Sequence, residues 1–405
     1  MLTRHILKVY KEIENGKLVI KRSNKVSRLN SSTILVIGMI DSPHLQKWIN
    51  VVQGEFPNKK ILLFPSDRPR FNNTKLGNKS HNSTKVFRLV SNNKINFIIY
   101  YIFDTLFNIR WRAYFLARII IFYKPSIIHF HEMQHGSYIF NLIVNYRKIP
   151  NNSRNIISTW GSDLNLYSWT DIHYNKIRSC LSWADILTSE RETDLASAER
   201  LGFKGEFRAP IYITLGQNFS KSITHITPSS RKLILIKGHQ YNAGRALNAL
   251  HVISQLSHEL ENFEILVYSA PESVQIQVDI LRNRDKINIK VVRKMSHIEM
   301  YNLFQQARIS ISLAVSDGLP GVLVEAMECG AFPIQSENSA VNEFLIEGRS
   351  GFIVDPWDLS FIKKSLHRAL TDDLLVDNAS ELNYKTLQKK YSLDNGILKL
   401  RKLYL

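Results

Sequence analysis

Cysteine is nearly absent: Cys180 and Cys329 are the two among 405 residues. That count excludes a cystine framework and a structural metal site built on thiolates. No run of about 18 uninterrupted apolar residues occurs, so no membrane-spanning helix is expected. Residues 1–30 carry scattered Lys and Arg and no apolar stretch, unlike a secretory leader. There is no CxxC pair and no Asp-x-Asp at a strand end, and no resident metal is implied. Acidic residues are scarce at the start of the chain. Residues 1–150 hold 7 Asp+Glu against 24 Lys+Arg.

The remaining composition is that of a folded globular protein, with 44% apolar and 22% charged residues. A disordered or collagen-like chain is excluded. The net charge of +18 points to an anionic partner, and its distribution narrows the choice. Residues 1–220 carry 31 basic against 15 acidic groups, whereas residues 221–405 carry 22 against 20. A nucleic-acid binder shows such an excess, but no zinc-finger, RRM or basic-zipper pattern accompanies it. The excess is either a solvated basic surface or one that meets an anionic surface or substrate. Residues 95–123 combine many aromatics with Arg110, Arg112 and Arg118. This pattern suits a membrane interface, and equally a buried amphipathic helix with snorkelling arginines.

Short buried-strand runs recur along the chain. In the first half they lie at 33–38, 61–64, 126–130, 156–159 and 184–188, with helical segments between and a polar loop at 68–84. A polar stretch at 216–230 reads as a linker. The pattern then restarts at 233–236, 264–268, 287–292, 309–313, 332–334 and 352–354. Strand–helix alternation of this kind predicts two doubly wound α/β domains facing across a cleft. Ligands of such sheets sit at the carboxyl ends of strands.

The stretch richest in chemistry follows the strand at 309–313. It runs Ser316, Asp317, Gly318, Leu319, Pro320, Gly321 and on through Glu325 to Gly330. Pro320 suits the entry of a helix and Gly330 its end. Gly318 and Gly321 let a ligand approach the backbone. The helix start offers unpaired N–H groups to a diphosphate. Asp317 and Glu325, eight positions apart, flank that seat and can accept from sugar hydroxyls.

This stretch resembles the donor signature of retaining glycosyltransferases of the GT-B fold, family four: an acid, seven residues, a Glu, then a helix closing on Gly before a Pro-containing strand. The resemblance implies a metal-independent enzyme moving a hexose-type sugar with retention of configuration. Asp317 would hold the transferred sugar, and Glu325 the ribose. Gly318, Leu319, Pro320 and Gly321 would line the donor. Lys237 and Arg245 resemble the basic pair on the donor diphosphate, although taken singly each also reads as a surface charge. His131, closing the strand at 126–130, resembles the histidine that faces the donor sugar; a structural histidine is the other reading. Gly38 resembles the first-strand glycine near the reaction centre. The loops holding Ser42 and His44, and Ser162 and Asp163, resemble acceptor-side loops, and also suit turn and helix-cap chemistry.

The resemblance divides the chain into an acceptor-binding Rossmann-like domain (1–220), a nucleotide-sugar donor domain (221–385) and a C-terminal helix (386–405) packing back toward the first domain. No cofactor is expected beyond the nucleotide-diphospho-sugar substrate. The expected partners are that donor, a glycan or lipid-linked acceptor and an anionic membrane surface, with no nucleic acid. The expected setting is the cytoplasmic face of a bacterial membrane, in polysaccharide or lipopolysaccharide synthesis. A GT-B-like nucleotide-sugar epimerase, and a non-catalytic binder of anionic lipid or nucleic acid, are the alternatives.

Overall fold

The computed structural model describes residues 33–67, 84–86, 102, 105–106, 110–146, 153–219, 227–292 and 294–405. The readings made for residues 1–30, for most of 68–84, for 95–101 and for 220–226 lie outside the described residues.

Two parallel sheets organise the chain. The first has seven strands in the order β3-β2-β1-β4-β5-β6-β7. These are β1 (Thr33–Gly38), β2 (Lys60–Pro65), β3 (Thr84–Val86), β4 (Ile127–Phe130), β5 (Arg154–Ser158), β6 (Ile186–Thr188) and β7 (Glu206–Arg208). The second has six, in the order β10-β9-β8-β11-β12-β13. These are β8 (Leu233–Lys237), β9 (Glu264–Tyr268), β10 (Ile289–Val291), β11 (Ala307–Ser312), β12 (Phe332–Ser336) and β13 (Phe352–Val354). The fold is therefore α/β with two Rossmann-like sheets.

Helices cover both faces of such sheets, so the central strands are buried on both faces. All six residues of β1 and of β11 are buried. The helix Pro43–Glu55 shows the complementary pattern, burying Leu45, Trp48, Ile49 and Val52 along one stripe. Each fully buried Leu, Ile or Val contributes about 1.5–3 kcal/mol. Two buried arginines fasten the second sheet to its helices. Arg308 donates to the carbonyls of Ala369 and Leu370 at the end of the helix Leu359–Thr371, and pairs with Asp373 at 2.7 Å. Arg231 donates to the carbonyls of Ala307 and Cys329.

Contacts divide the chain into two compact units. One comprises the described residues up to Ser158 with Asp171–Leu187 and Glu199–Phe207. The other comprises Thr159–Thr170, Thr188–Ala198 and Arg208–Leu405. The chain thus passes between the units more than once. The C-terminal helix, Leu393–Tyr404, is tied to Pro210 by Lys399 and to Arg208 through the Lys402 carbonyl.

In each sheet the strand order reverses direction beside the first strand of that sheet. The reversal lies between β1 and β4 in one and between β8 and β11 in the other. Chain leaving two such neighbours diverges and opens a crevice at their carboxyl ends. The residues at those ends are Gly38 and His131 in the first unit, and Lys237 and 313–317 in the second.

Candidate functional site

In the second unit, β11 leads into a loop that ends at the helix Gly321–Cys329. Pro320 occupies the N-cap, with φ −64°, and Gly330 closes the helix at φ 77°, in the left-handed region. Backbone bonds fix the loop from several sides. Ala314 N–H donates to Ser336 Oγ at 2.7 Å, Val315 N–H to the Ala243 carbonyl at 2.8 Å, and Asp317 N–H to the Asn338 carbonyl at 2.9 Å. Gly318 N–H turns back to Asp317 Oδ1 at 2.9 Å.

This loop forms the wall of a cavity of about 230 Å³ lined by Ser162, Lys237, His239, Ala243, Gly244, Leu313, Ala314, Ser316 and Asp317. Lys237 Nζ stands 3.8 Å from Asp317 Oδ2, with both side chains partly open to solvent. Burial and the neighbouring Lys237 push the His239 imidazole below its usual range. The cavity therefore combines the Lys237 ammonium, the His239 imidazole and the Asp317 carboxylate, the last in the loop that leads to the nine-residue helix. A cation and a helix N-terminus suit phosphate oxygens. A carboxylate beside them suits hydroxyl groups.

Glu325 lies on that helix, a quarter exposed, with Oε1 3.3 Å from His297 Nε2. Burial raises its carboxyl above the usual range, and His297 opposes that shift. Arg245 is held differently. Its Nη1 donates to the carbonyls of Tyr241, Asn242 and Gly244, and its guanidinium lies 4.8 Å over the Trp357 ring. It clips its own loop and does not line the cavity, while its neighbour Gly244 does. Its Nε is buried without a hydrogen-bond partner.

Ser162 and Asp163 belong to the second unit. Ser162 lines the cavity. Asp163 is buried, and its Oδ2 accepts the Trp160 N–H at 2.6 Å, a bond that holds the local turn. Gly161, with φ 85°, touches the 317–318 backbone so closely that a Cβ there would collide with it. No side chain other than hydrogen fits that position.

Gly38 and His131 meet in the first unit. A Cβ on Gly38 would stand 3.1 Å from His131 Cβ. The His131 ring is fully buried, 4.6 Å from the Trp48 ring and 4.3 Å from that of His129. Neither ring nitrogen has a hydrogen-bond partner. Burial lowers its pKa to about 3, so the imidazole is neutral at physiological pH. His129, by contrast, is satisfied by Ser158 Oγ at 2.7 Å. Ser42 and His44 open the helix Pro43–Glu55, Ser42 as its N-cap and His44 on its exposed side.

Of the residues singled out in the sequence, the cavity thus gathers Ser162, Lys237 and Asp317. Gly318–Gly321 and Glu325 are on the adjoining loop and helix. Two groups escaped the sequence reading, His239 and Glu190; Ser316 opens the stretch singled out there but was given no role. His239 and Glu190 each follow a strand by two residues, and that strand-end position was the signal available for them. Glu190 is buried, and its Oε2 accepts the Leu319 N–H at 2.8 Å.

Comparison with known proteins adds the following. Residues 224–386 match the family of glycosyl transferases group 1. No curated protein sequence matches the chain. Among solved structures, sucrose-phosphate synthase from Thermosynechococcus elongatus is similar at 14% identity, TM-score 0.72, over 92% of this chain and 98% of that one. HepE from Anabaena, in complex with UDP and glucose, is similar at 10% identity, TM-score 0.65, over 92% and 99%. The lipopolysaccharide outer core galactosyltransferase WaaB is similar at 13% identity, TM-score 0.65, over 92% and 99%. Residues 224–386 thus match the glycosyl transferases group 1 family, and the solved structures show that the chain has the GT-B fold.

Proposed function

We propose that this protein is a retaining glycosyltransferase. It takes a sugar from a nucleotide-diphospho-sugar and passes it to a glycan or lipid-linked acceptor in surface polysaccharide or lipopolysaccharide synthesis. The observation that carries the donor half of this reading is the Lys237–Asp317 pair beside the start of the helix Gly321–Cys329. The structures of HepE with UDP and glucose support a nucleotide-sugar donor. WaaB, named a lipopolysaccharide galactosyltransferase, supports the acceptor class.

In this reading Lys237 and the helix N–H groups hold the diphosphate. They stabilise the charge that develops as the sugar C1–O bond breaks. Gly318, Leu319 and Gly321, with Pro320 shaping the turn, line the donor. Asp317 binds the transferred sugar and Glu325 the ribose. His131, held neutral by burial, contributes a hydrogen bond to the sugar. Ser42, His44, Ser162 and Asp163 serve the acceptor side, and Arg245 orders the loop beside the diphosphate. The acceptor hydroxyl attacks C1 from the face the diphosphate leaves and gives its proton to the departing phosphate oxygen. Lys237 and the helix N-terminus supply the positive charge, so the reaction proceeds without a metal.

A thermal-shift screen across UDP-, GDP- and ADP-sugars should raise the melting temperature with one of them. With that donor, transfer should persist in EDTA, and the product should keep the donor's anomeric configuration by proton NMR. Loss of transfer in EDTA with rescue by manganese, or an inverted product, contradicts the reading.

The setting we propose is an anionic membrane face. Among the described residues no helix is long and apolar enough to cross a membrane. The helix Arg110–Tyr123 buries Leu116, Ala117 and Ile120, yet leaves Phe115 and Phe122 exposed beside Arg118. Lys60 lies over the Tyr123 ring at 4.8 Å. Exposed aromatics among cations suit an anionic lipid interface.

A further inference from the structure

Glu190 is a buried carboxylate with no role in the donor site as drawn above. It lies 5% exposed, and its two oxygens are used separately. Oε1 accepts the Ile213 N–H at 2.8 Å, and Oε2 accepts the Leu319 N–H at 2.8 Å. Leu319 is two residues from Asp317, in the turn that opens the donor helix. Oε2 also fills the space at Gly318 that a Cβ would need. All these residues belong to the second unit.

The groups facing Glu190 are mostly acids and phenols. Asp317 comes from the loop and Asp194 from the helix Asp194–Arg200; Tyr212 and Tyr391 complete the set. Asp194 has partners of its own in Ser189, Asn165 and Arg191, and Asp317 has Lys237. Among the described residues no Lys or Arg pairs with Glu190. Two backbone N–H groups are what hold its charge.

We propose that Glu190 is a positioning residue for donor binding: its carboxylate bridges Ile213 and Leu319, holds the 317–320 turn in its receptive shape, and releases that turn on protonation. The proposal rests on the donor reading above. Burial, reinforced by Asp317 and Asp194, raises the Glu190 carboxyl to about 7, against the two N–H bonds that lower it. Above that pH both oxygens accept. Below it, one oxygen carries a proton that faces an N–H, and one arm of the bridge is lost. Donor binding then favours the ionised form, and by linkage it expels a proton near neutrality.

Calorimetry of UDP-, GDP- and ADP-glucose on the full chain tests this. Their diphosphate diesters do not titrate near neutrality, so protons exchanged on binding come from the protein or its buffer. In wild type, binding near pH 7 should release a fraction of a proton, read from the dependence on buffer ionisation heat. Affinity should be about tenfold tighter at about pH 8 than at about pH 6. Glu190→Gln keeps the size of the side chain but offers one acceptor for two N–H groups. It should bind weakly, at one affinity across that range, with no proton release. The wild-type release stands as a readout even where the variant melts early. Binding without proton release, or a Glu190→Gln variant that keeps the wild-type pH dependence, overturns the inference and leaves the donor reading intact. Failure of all three sugars to bind wild type at any pH overturns both.

Discussion

The chemistry of the proposed donor site turns on a few closely placed side chains. Lys237 and Asp317 stand 3.8 Å apart, and Glu325 lies behind them, paired with His297. Replacing Glu325 by Ala should reduce transfer by about 100-fold or more while circular dichroism stays that of the wild type, because one contact to the bound donor is removed. A variant with near-normal turnover would remove Glu325 from the site. Buried titratable groups also make opposite demands on stability. Glu190 is raised from 4.5 to about 7 in the fold. Its stabilising contribution is complete below about 4.5 and lost as pH rises through about 7. His131 is lowered from 6.5 to about 3, so its contribution is present above about 6.5 and lost as pH falls toward 3. Urea midpoints of wild type and Glu190→Gln should therefore move apart as pH rises from about 5 to about 8, wild type losing ground. Parallel curves would contradict the environment described for Glu190. Lys237 was legible in the sequence because it closes an apolar run, and Asp317 because it stands eight positions before Glu325 in a glycine-containing loop. Glu190 was not, because its partner Leu319 is 129 positions away and only the fold joins them.

Among the elements, those with uninterrupted apolar runs could be read directly. β1 and β8 are central strands whose apolar runs say so; β11, buried throughout, instead alternates Ile with Arg and Ser. Two edge strands could not be read. Thr84–Val86 and Glu206–Arg208 have three residues each and carry charged or polar side chains, which marks loops as readily as edges. The stretch at 287–292 proved a strand only over Ile289–Val291, at the other edge. The donor helix was legible from its punctuation, Pro320 before and Gly330 after. The segment that braces its loop was not. Gly161 reads as a turn glycine, yet its role is to let two backbones touch. Gly161→Ala should cost about 1–2 kcal/mol for its left-handed conformation alone. The collision with the 317–318 backbone should add to that. Donor affinity should fall beyond what the lowered melting temperature explains. A Gly161→Ala variant with wild-type melting and donor binding would contradict the close approach.

Over the whole molecule, +16 of the +18 charge resides in residues 1–220. The stretch that matches glycosyl transferases group 1, 224–386, lies in the near-neutral remainder. A donor site needs only placed cations such as Lys237, whereas a surface that meets anionic lipid needs many. Binding to anionic liposomes should accordingly be strong at low salt and fall steeply as the Debye length shrinks to about 10 Å near 0.1 M. Salt-independent binding, or none at low salt, would contradict the membrane setting. The central claim is the donor site itself, and calorimetric titration of the nucleotide-sugar selected by the thermal-shift screen, on wild type and on Lys237→Ala, tests it most directly. The account predicts saturable one-site binding in wild type and a loss of about 10- to 100-fold in the variant, since a charge-assisted contact to phosphate is removed. Equal affinity in the two proteins would contradict it.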